Sequence, residues 1–211
     1  MDKYKLTVIM PLWNQEELFR IGLDSVPARD DIEIIVIDDG STDNSLEEVR
    51  NYQLSSKKNI VILHNEKNKG EAYSANRGLD EAHGEYVTRL DSDGDYFVNL
   101  ENAFPYLDGT DMVYYCLRSN DGDIWGVGKN ERSHCGGAVK FIRREFFGDL
   151  RYRRIETGCD GDLYGELLRK NPTETFLPPA VMFKHYNYPR KGSMMWNLLN
   201  GVTKSGTIRE D

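Results

Sequence analysis

Residues 70–95 read GEAYSANRGLDEAHGEYVTRLDSDGD. Ala72, Ala75, Leu79 and Ala82 recur there at helical spacing, so 70–82 is expected to be a helix with one small-residue face. The next run, 85–90, is too short for a helix and reads as a strand. It ends directly in an acidic turn holding Asp91, Asp93 and Asp95. The same alternation runs upstream. An apolar run at 6–10 is closed by Pro11, and 15–26 places Leu18, Phe19, Leu23 and Val26 near helical spacing. The β-branched run 32–37 (IEIIVI) opens into DDGSTD, a helix is expected over 43–52 with Asp43 or Thr42 as N-cap, and 59–63 (NIVIL) reads as a third strand.

Short apolar strands separated by helices predict an α/β chain with a mostly parallel central sheet flanked by helices on both faces. Ligands of such sheets lie at the carboxyl ends of the strands. Those ends carry Asn14 and Glu16, Asp38 and Asp39, residues 66–69, and residues 91–95. The second half is less regular. Strands are expected at 111–117, 138–142 and 181–183 and a helix at 160–169, with a break at Pro178-Pro179 and a polar tail over 201–211.

The 211 residues suit a single compact domain, and 39% hydrophobic with 29% charged residues reads as an ordinary soluble chain. A net charge of −8 argues against wholesale binding to nucleic acid or anionic membrane. Cys116, Cys135 and Cys159 are widely spaced with no CxxC, which disfavours a disulfide framework or zinc site and fits a reducing, cytoplasmic compartment. No stretch approaches the roughly 20 apolar residues of a membrane span. The start lacks a signal-peptide pattern, so work at a membrane would be peripheral, by recruitment. Neither GxGxxG nor GxxxxGK[ST] occurs; Gly126-Val127-Gly128 is a lone GxG.

Asp91-Ser92-Asp93 is the most informative short motif. In an extended segment residues i and i+2 point the same way, so the two carboxylates could face one ligand. Close carboxylates repel unless a cation lies beside them, and Mg²⁺ or Mn²⁺ suits oxygen ligands and bridges to phosphates. The plainer reading is a polar turn with capping aspartates. Asp39 could accept hydrogen bonds from a base or ribose, or satisfy free backbone N–H groups. Lys67 and Lys69 precede a helix N-terminus suited to phosphate, although a solvated turn explains either one alone. Arg77, on the same helix, suits a phosphate contact or a surface salt bridge equally.

Taken together, TVIMPLWNQE, IIVIDDGSTD and NKGEAYSANRGLDEAHGEYVTRLDSDGD resemble the family-2 glycosyltransferases of the GT-A fold. The likeness continues more loosely through CGGAVKFIRREFF, GCDGDLYGELLR and HYNYPRKGSMMW. The resemblance implies one domain over 1–200, with 1–98 binding a nucleotide sugar and 99–200 an acceptor. It implies donor contacts at Pro11, Asn14, Glu16, Asp39, Lys67, Gly70, Arg77, Asp91 and Ser92, and a closing segment with Arg190, Lys191 and Ser193. Asp93 is the implied direct ligand of Mn²⁺ or Mg²⁺ and His185 a later one, although a lone histidine after a strand is as often a hydrogen-bonded core residue. The family's usual acidic pair before a helix reads here as Cys159-Asp160, which leaves Asp160 as the implied base, or as an N-cap, with Glu156 and Asp162 in reserve. His134, Gly136 and Gly137 fall on the acceptor side.

The implied reaction is an inverting hexosyl or pentosyl transfer from a nucleoside-diphosphate sugar, with UDP as the expected carrier, to a glycan, glycolipid or protein hydroxyl. A hydroxylated base in DNA is the alternative acceptor, because Arg143, Arg144, Arg151, Arg153 and Arg154 form a basic cluster that otherwise reads as a solvated face. A sugar-nucleotide nucleotidyltransferase would want a glycine-rich basic loop where PLWNQEE stands. A non-catalytic nucleotide-sugar binder would not need both Asp93 and Asp160.

Overall fold

A computed structural model describes residues 4–126, 140–153 and 159–187. The first half folds as four strands alternating with three helices: β1 (Tyr4–Leu12), α1 (Phe19–Ser25), β2 (Ile32–Asp38), α2 (Ser45–Ser55), β3 (Asn59–His64), α3 (Glu71–Glu81) and β4 (Gly84–Arg89). β1 pairs in parallel with β2 and β4, and β2 with β3. All seven residues of β2 are buried, as expected of a parallel strand covered on both faces. The two apolar clusters lie on opposite faces of the sheet, because successive side chains alternate: Val8 and Met10 join one, Ile9 the other.

Helix α3 lies unusually close to the sheet. A Cβ at Gly78 would come within 2.6 Å of the Ile9 side chain and 2.8 Å of Ile37. The missing side chain lets the helix seat its small-residue face on β1 and β2. Its N-terminus is thereby held beside the carboxyl ends of the strands.

The second half extends this sheet and builds another. In chain order it contains β5 (Tyr96–Val98), a 3₁₀ turn (Leu100–Tyr106), β6 (Met112–Tyr114), β7 (Cys116–Ser119), β8 (Ile124–Trp125), β9 (Lys140–Arg143), α4 (Arg144–Phe147), α5 (Cys159–Arg169), β10 (Glu174–Phe176) and β11 (Phe183–Tyr186). The large sheet runs β10-β6-β9-β4-β1-β2-β3 and the small one β5-β11-β7-β8. β9 enters antiparallel between β4 and β6.

Several expected boundaries move. The strand expected over 111–117 is two strands in different sheets, split at Tyr115. That side chain is fully buried, and its hydroxyl shares a 2.9 Å hydrogen bond with Thr88 on β4. The strand expected at 181–183 begins at Phe183, since Val181 closes a turn onto the Pro178 carbonyl. Helix α1 starts at Phe19 rather than residue 15, because Asn14 takes a left-handed φ of 51° and 15–18 form a turn. Helix α2 starts at Ser45; Asp43 accepts the Ser45 N–H at 3.0 Å, and Thr42 is engaged by Asn14.

Candidate active site

The carboxyl ends of β1 and β2 carry two loops that fasten to each other. The Asn14 N–H donates to Ser41 Oγ at 3.0 Å, and Thr42 N–H donates to Asn14 Oδ1 at 2.8 Å. Gln15 N–H donates to Ser45 Oγ, and Asn44 N–H to Glu16 Oε2 at 2.9 Å. The side chains of Asn14 and Glu16, read from sequence as donor contacts, thus hold the 41–44 loop in place. Pro11 lies within β1 opposite Ile37. Between them and the loop, Trp13 leaves 51% of its surface exposed at the sheet's edge. The sequence reading passed over it; an aromatic one residue beyond a strand's carboxyl end was the available signal.

Asp39 is the hub of the next layer. Its Oδ1 accepts the Asn65 side-chain amide at 2.7 Å and the Lys69 N–H at 3.0 Å, and its Oδ2 accepts the Gly70 N–H at 2.8 Å. Both oxygens therefore bind the loop before α3, and one lone-pair direction on Oδ2 remains for a ligand. Gly70 makes the approach possible through its positive φ of 92°. Arg77 donates to the His64 carbonyl at 2.6 Å and to Asn65 Oδ1 at 2.7 Å, so it braces the end of β3 rather than forming a salt bridge. Asn65, absent from the sequence-based set, links Arg77 to Asp39. A cleft of about 370 Å³ opens beside this network, lined by His64, Asn65, Glu66, Lys67, Lys69, Tyr73 and Arg77. Its volume lies within the range of small-molecule pockets.

The acidic turn after β4 is held from the small sheet. Lys184 on β11 is 1% exposed, and its Nζ lies 2.9 Å from Asp95 Oδ2 and 3.5 Å from Asp91 Oδ2. Arg89 Nε meets Asp91 Oδ1 at 3.0 Å. Asn187 donates its N–H to Asp95 Oδ1 at 2.9 Å and its side-chain amide to the Asp93 carbonyl at 2.7 Å. Burial acts to lower the Lys184 pKa, but the charges of Asp95 and Asp91 outweigh it and hold the ammonium charged. Burial alone would raise Asp91, and Arg89 with Lys184 bring it below the ordinary carboxylate value. Asp95 is pushed up by burial, against the pull of Lys184. Ser92 is buried within the turn.

Strand alternation sorts β11. Lys184 and Tyr186 share the face towards the aspartates; burial and then the charges of Asp95, Asp91 and Asp93 push the Tyr186 hydroxyl up to about 12. His185 lies on the other face, its ring stacked 4.5 Å from Tyr96, its Nδ1 buried without a hydrogen-bond partner among the described residues. Burial holds its pKa below the ordinary value. The charge of Asp95 acts in the opposite sense, so His185 still lies within the field of the acidic turn.

Among the described residues no three His, Cys, Asp or Glu side chains gather into a metal cage. A cation shared with a diphosphate needs only one or two carboxylates, since phosphate oxygens and water complete its shell. A carboxylate on a turn fixed from three sides fits that need through Asp93.

Asp160 is the second residue of α5, and its side chain lies outside the described set. So do His134, Gly136, Gly137, Glu156, Arg190, Lys191 and Ser193. The described part of the basic cluster is paired internally. Arg143 meets Asp111, Arg151 meets Asp80 at 2.7 Å, and Arg153 meets Asp162 at 3.2 Å, while Arg144 donates to the Gly84 carbonyl. Among the described residues no helix is long and apolar enough to cross a membrane.

Residues 7–166 match the family described as "Glycosyl transferase family 2". The chain is 38% identical over 144 residues to the uncharacterized glycosyltransferase YibD of Escherichia coli (strain K12), covering 64% of this chain and 41% of that protein. It is 38% identical over 91 residues to the GalNAc(5)-diNAcBac-PP-undecaprenol beta-1,3-glucosyltransferase of Campylobacter jejuni, covering 42% and 29%. The crystal structure of S. aureus TarS 1-349 in complex with UDP-GlcNAc superposes with a TM-score of 0.77 at 25% identity, over 90% of this chain and 60% of that one. The chain thus spans less than half the length of either of these sequence relatives.

Proposed function

The chain belongs to glycosyl transferase family 2, and from that premise we propose that it transfers a sugar from a uridine diphosphate sugar to an acceptor hydroxyl, with a divalent cation and inversion at the anomeric carbon. The observation that carries this reading is the Asp39 hub standing on the same sheet edge as the braced 91–95 turn. One offers an acceptor for a nucleoside, the other a carboxylate for a cation shared with a diphosphate. In this reading residues 1–98 bind the donor and 99–200 the acceptor, and Lys184 and Asn187 from the second half complete the donor side.

In the proposed step the acceptor oxygen attacks the anomeric carbon from the face opposite the diphosphate. Asp160 takes the acceptor proton, the bond to the diphosphate oxygen breaks, and its electron pair leaves with UDP. General-base help of this kind contributes about 10²–10⁴-fold. Mn²⁺ or Mg²⁺, when bound through Asp93, supplies neutralisation of the charge on the leaving diphosphate. Lys67 and Arg77 border the nucleotide cleft; Arg190, Lys191 and Ser193 are assigned to the diphosphate and His134, Gly136 and Gly137 to the acceptor.

A glycan, glycolipid or protein acceptor is favoured over DNA, because the described arginines of the basic cluster are engaged by acids and carbonyls of this chain. The experiment is release of UDP from a panel of UDP sugars with Mn²⁺ or with EDTA, using wild type, Asp93→Asn and Asp160→Asn. Wild type should turn over only with metal. Asp93→Asn should lose the metal response, and Asp160→Asn should fall about 10²–10⁴-fold while remaining folded. Full activity of folded Asp160→Asn removes it as the base, and metal-independent wild-type turnover sinks the cation assignment.

A further inference from the structure

We propose that Lys184 is the positioning residue of the donor site: its ammonium is the resident counter-ion of Asp91 and Asp95, and it sets the 91–95 turn so that Asp93 meets the donor's cation. The assignment of Asp93 to that cation rests on the reading above; the placement of Lys184 does not.

A lysine is almost never fully buried unless paired, because an isolated ammonium out of water is strongly unfavourable. Lys184 is buried in the middle of the small sheet, opposite Phe97 on β5 and Leu117 on β7. Its partners are two carboxylates of one five-residue turn, at 2.9 and 3.5 Å. Three residues further on, Asn187 holds the same turn through the Asp95 carboxylate and the Asp93 carbonyl. Gly94 completes the fit: its φ is 102°, and a Cβ there would fall 2.4 Å from Asn187 Nδ2. The segment 184–187 therefore grips residues 91 and 95 by their carboxylates and residue 93 by its backbone carbonyl. Lys184 thus pairs with Asp91 and Asp95, and the Asp93 backbone is held between them by Asn187.

The consequence concerns charge. With the ammonium removed, Arg89 is the remaining described cation in contact with Asp91, and Asp95 has lost its own. A divalent ion from solution would then be drawn between Asp91 and Asp95 and would disturb the one that Asp93 shares with the donor. Outer partners of this kind change metal affinity or activity by about 10–100-fold when mutated.

The test uses Lys184→Met and the double variant Lys184→Met/Asp95→Asn, which removes the carboxylate left unpaired. Melting is followed in EDTA and in Mn²⁺, and bound Mn²⁺ is counted by electron paramagnetic resonance without nucleotide. Lys184→Met should melt lower than wild type in EDTA, recover in Mn²⁺ and bind an additional Mn²⁺. The double variant should recover in EDTA and lose the additional ion. In turnover assays the Mn²⁺ requirement of Lys184→Met should shift by about 10–100-fold, a change that mere loss of packing would not produce. Wild-type melting and Mn²⁺ binding in Lys184→Met, or a melting loss relieved by neither Mn²⁺ nor Asp95→Asn, overturns the proposal. If Lys184→Met does not fold, rescue of folding in the double variant supports it and failure of rescue overturns it. Absence of turnover in every protein, wild type included, would sink the transfer reading while these binding outcomes still decide the role of Lys184.

Discussion

Asp39 accepts three hydrogen bonds from its own chain at the place where a nucleoside would also seek it. Replacing it by Asn leaves one oxygen and turns an NH₂ group towards the Gly70 or Lys69 N–H, donor against donor. Asp39→Asn should therefore lose about 1–3 kcal/mol of stability and also weaken UDP binding. Urea unfolding and calorimetric UDP titration check the two effects; unchanged UDP affinity would reduce Asp39 to a structural anchor. The sequence showed both uses of this aspartate, since its place after a buried strand is a local property. It could not show that the anchored N–H groups belong to Lys69 and Gly70, thirty residues away. Lys184 was still less visible, because nothing in FKHY distinguishes a buried, paired lysine from one reaching solvent. The resemblance drew notice to His185, whose ring stacks on Tyr96, whereas it is the neighbouring Lys184 that contacts the aspartates.

The elements of the first half followed directly from their periodicity. β1 to β4 are parallel, and β1, β2 and β4 are largely buried while β3 at the edge is only partly so; such strands announce themselves as short apolar runs between helices. The second half was harder because its strands are two to four residues long and change sheets, as at Tyr115. A strand of that length is fixed by its partners rather than by its own pattern. The close seating of α3 is a test of element placement. Gly78→Val would drive its branches into Ile9 and Ile37, where even a Cβ comes within 2.6 and 2.8 Å. Overpacking of this sort costs about 1–3 kcal/mol. The urea midpoint should fall at unchanged slope, and UDP affinity should fall with it, because α3 carries Gly70 and Arg77. A stable variant with normal UDP binding would show that the helix can ride outward without disturbing the site.

Across the whole molecule, the net charge of −8 sets how the fold meets acid. Among the described residues Asp91 and Asp111 are held below the ordinary value of 3.8 by partners distant in sequence, and in Asp111 those partners join separate strands. Burial would raise its pKa, but the Thr173 N–H and hydroxyl, at 2.9 and 2.8 Å, and Arg143 bring it down. These contacts join β6 to the loop before β10 and to β9, so they hold together the outer strands of the large sheet. A group whose pKa is lower folded than unfolded binds protons more readily in the unfolded chain. Its stabilisation is complete above 3.8 and disappears as pH falls through the lowered folded value. The Asp111 contribution should therefore be nearly constant from neutral pH to about 5 and decline below it. Asp111→Asn removes one such group. At neutral pH it should be less stable by about 1.5–3 kcal/mol, the range for hydrogen bonds to a charged group. In acid its curve should converge on that of the wild type, where Asp111 is protonated in either state. Urea titrations across the acid range compare the two curves. A constant separation down to the lowest pH would mean that the Asp111 charge does not support the sheet and that the contacts act through shape alone.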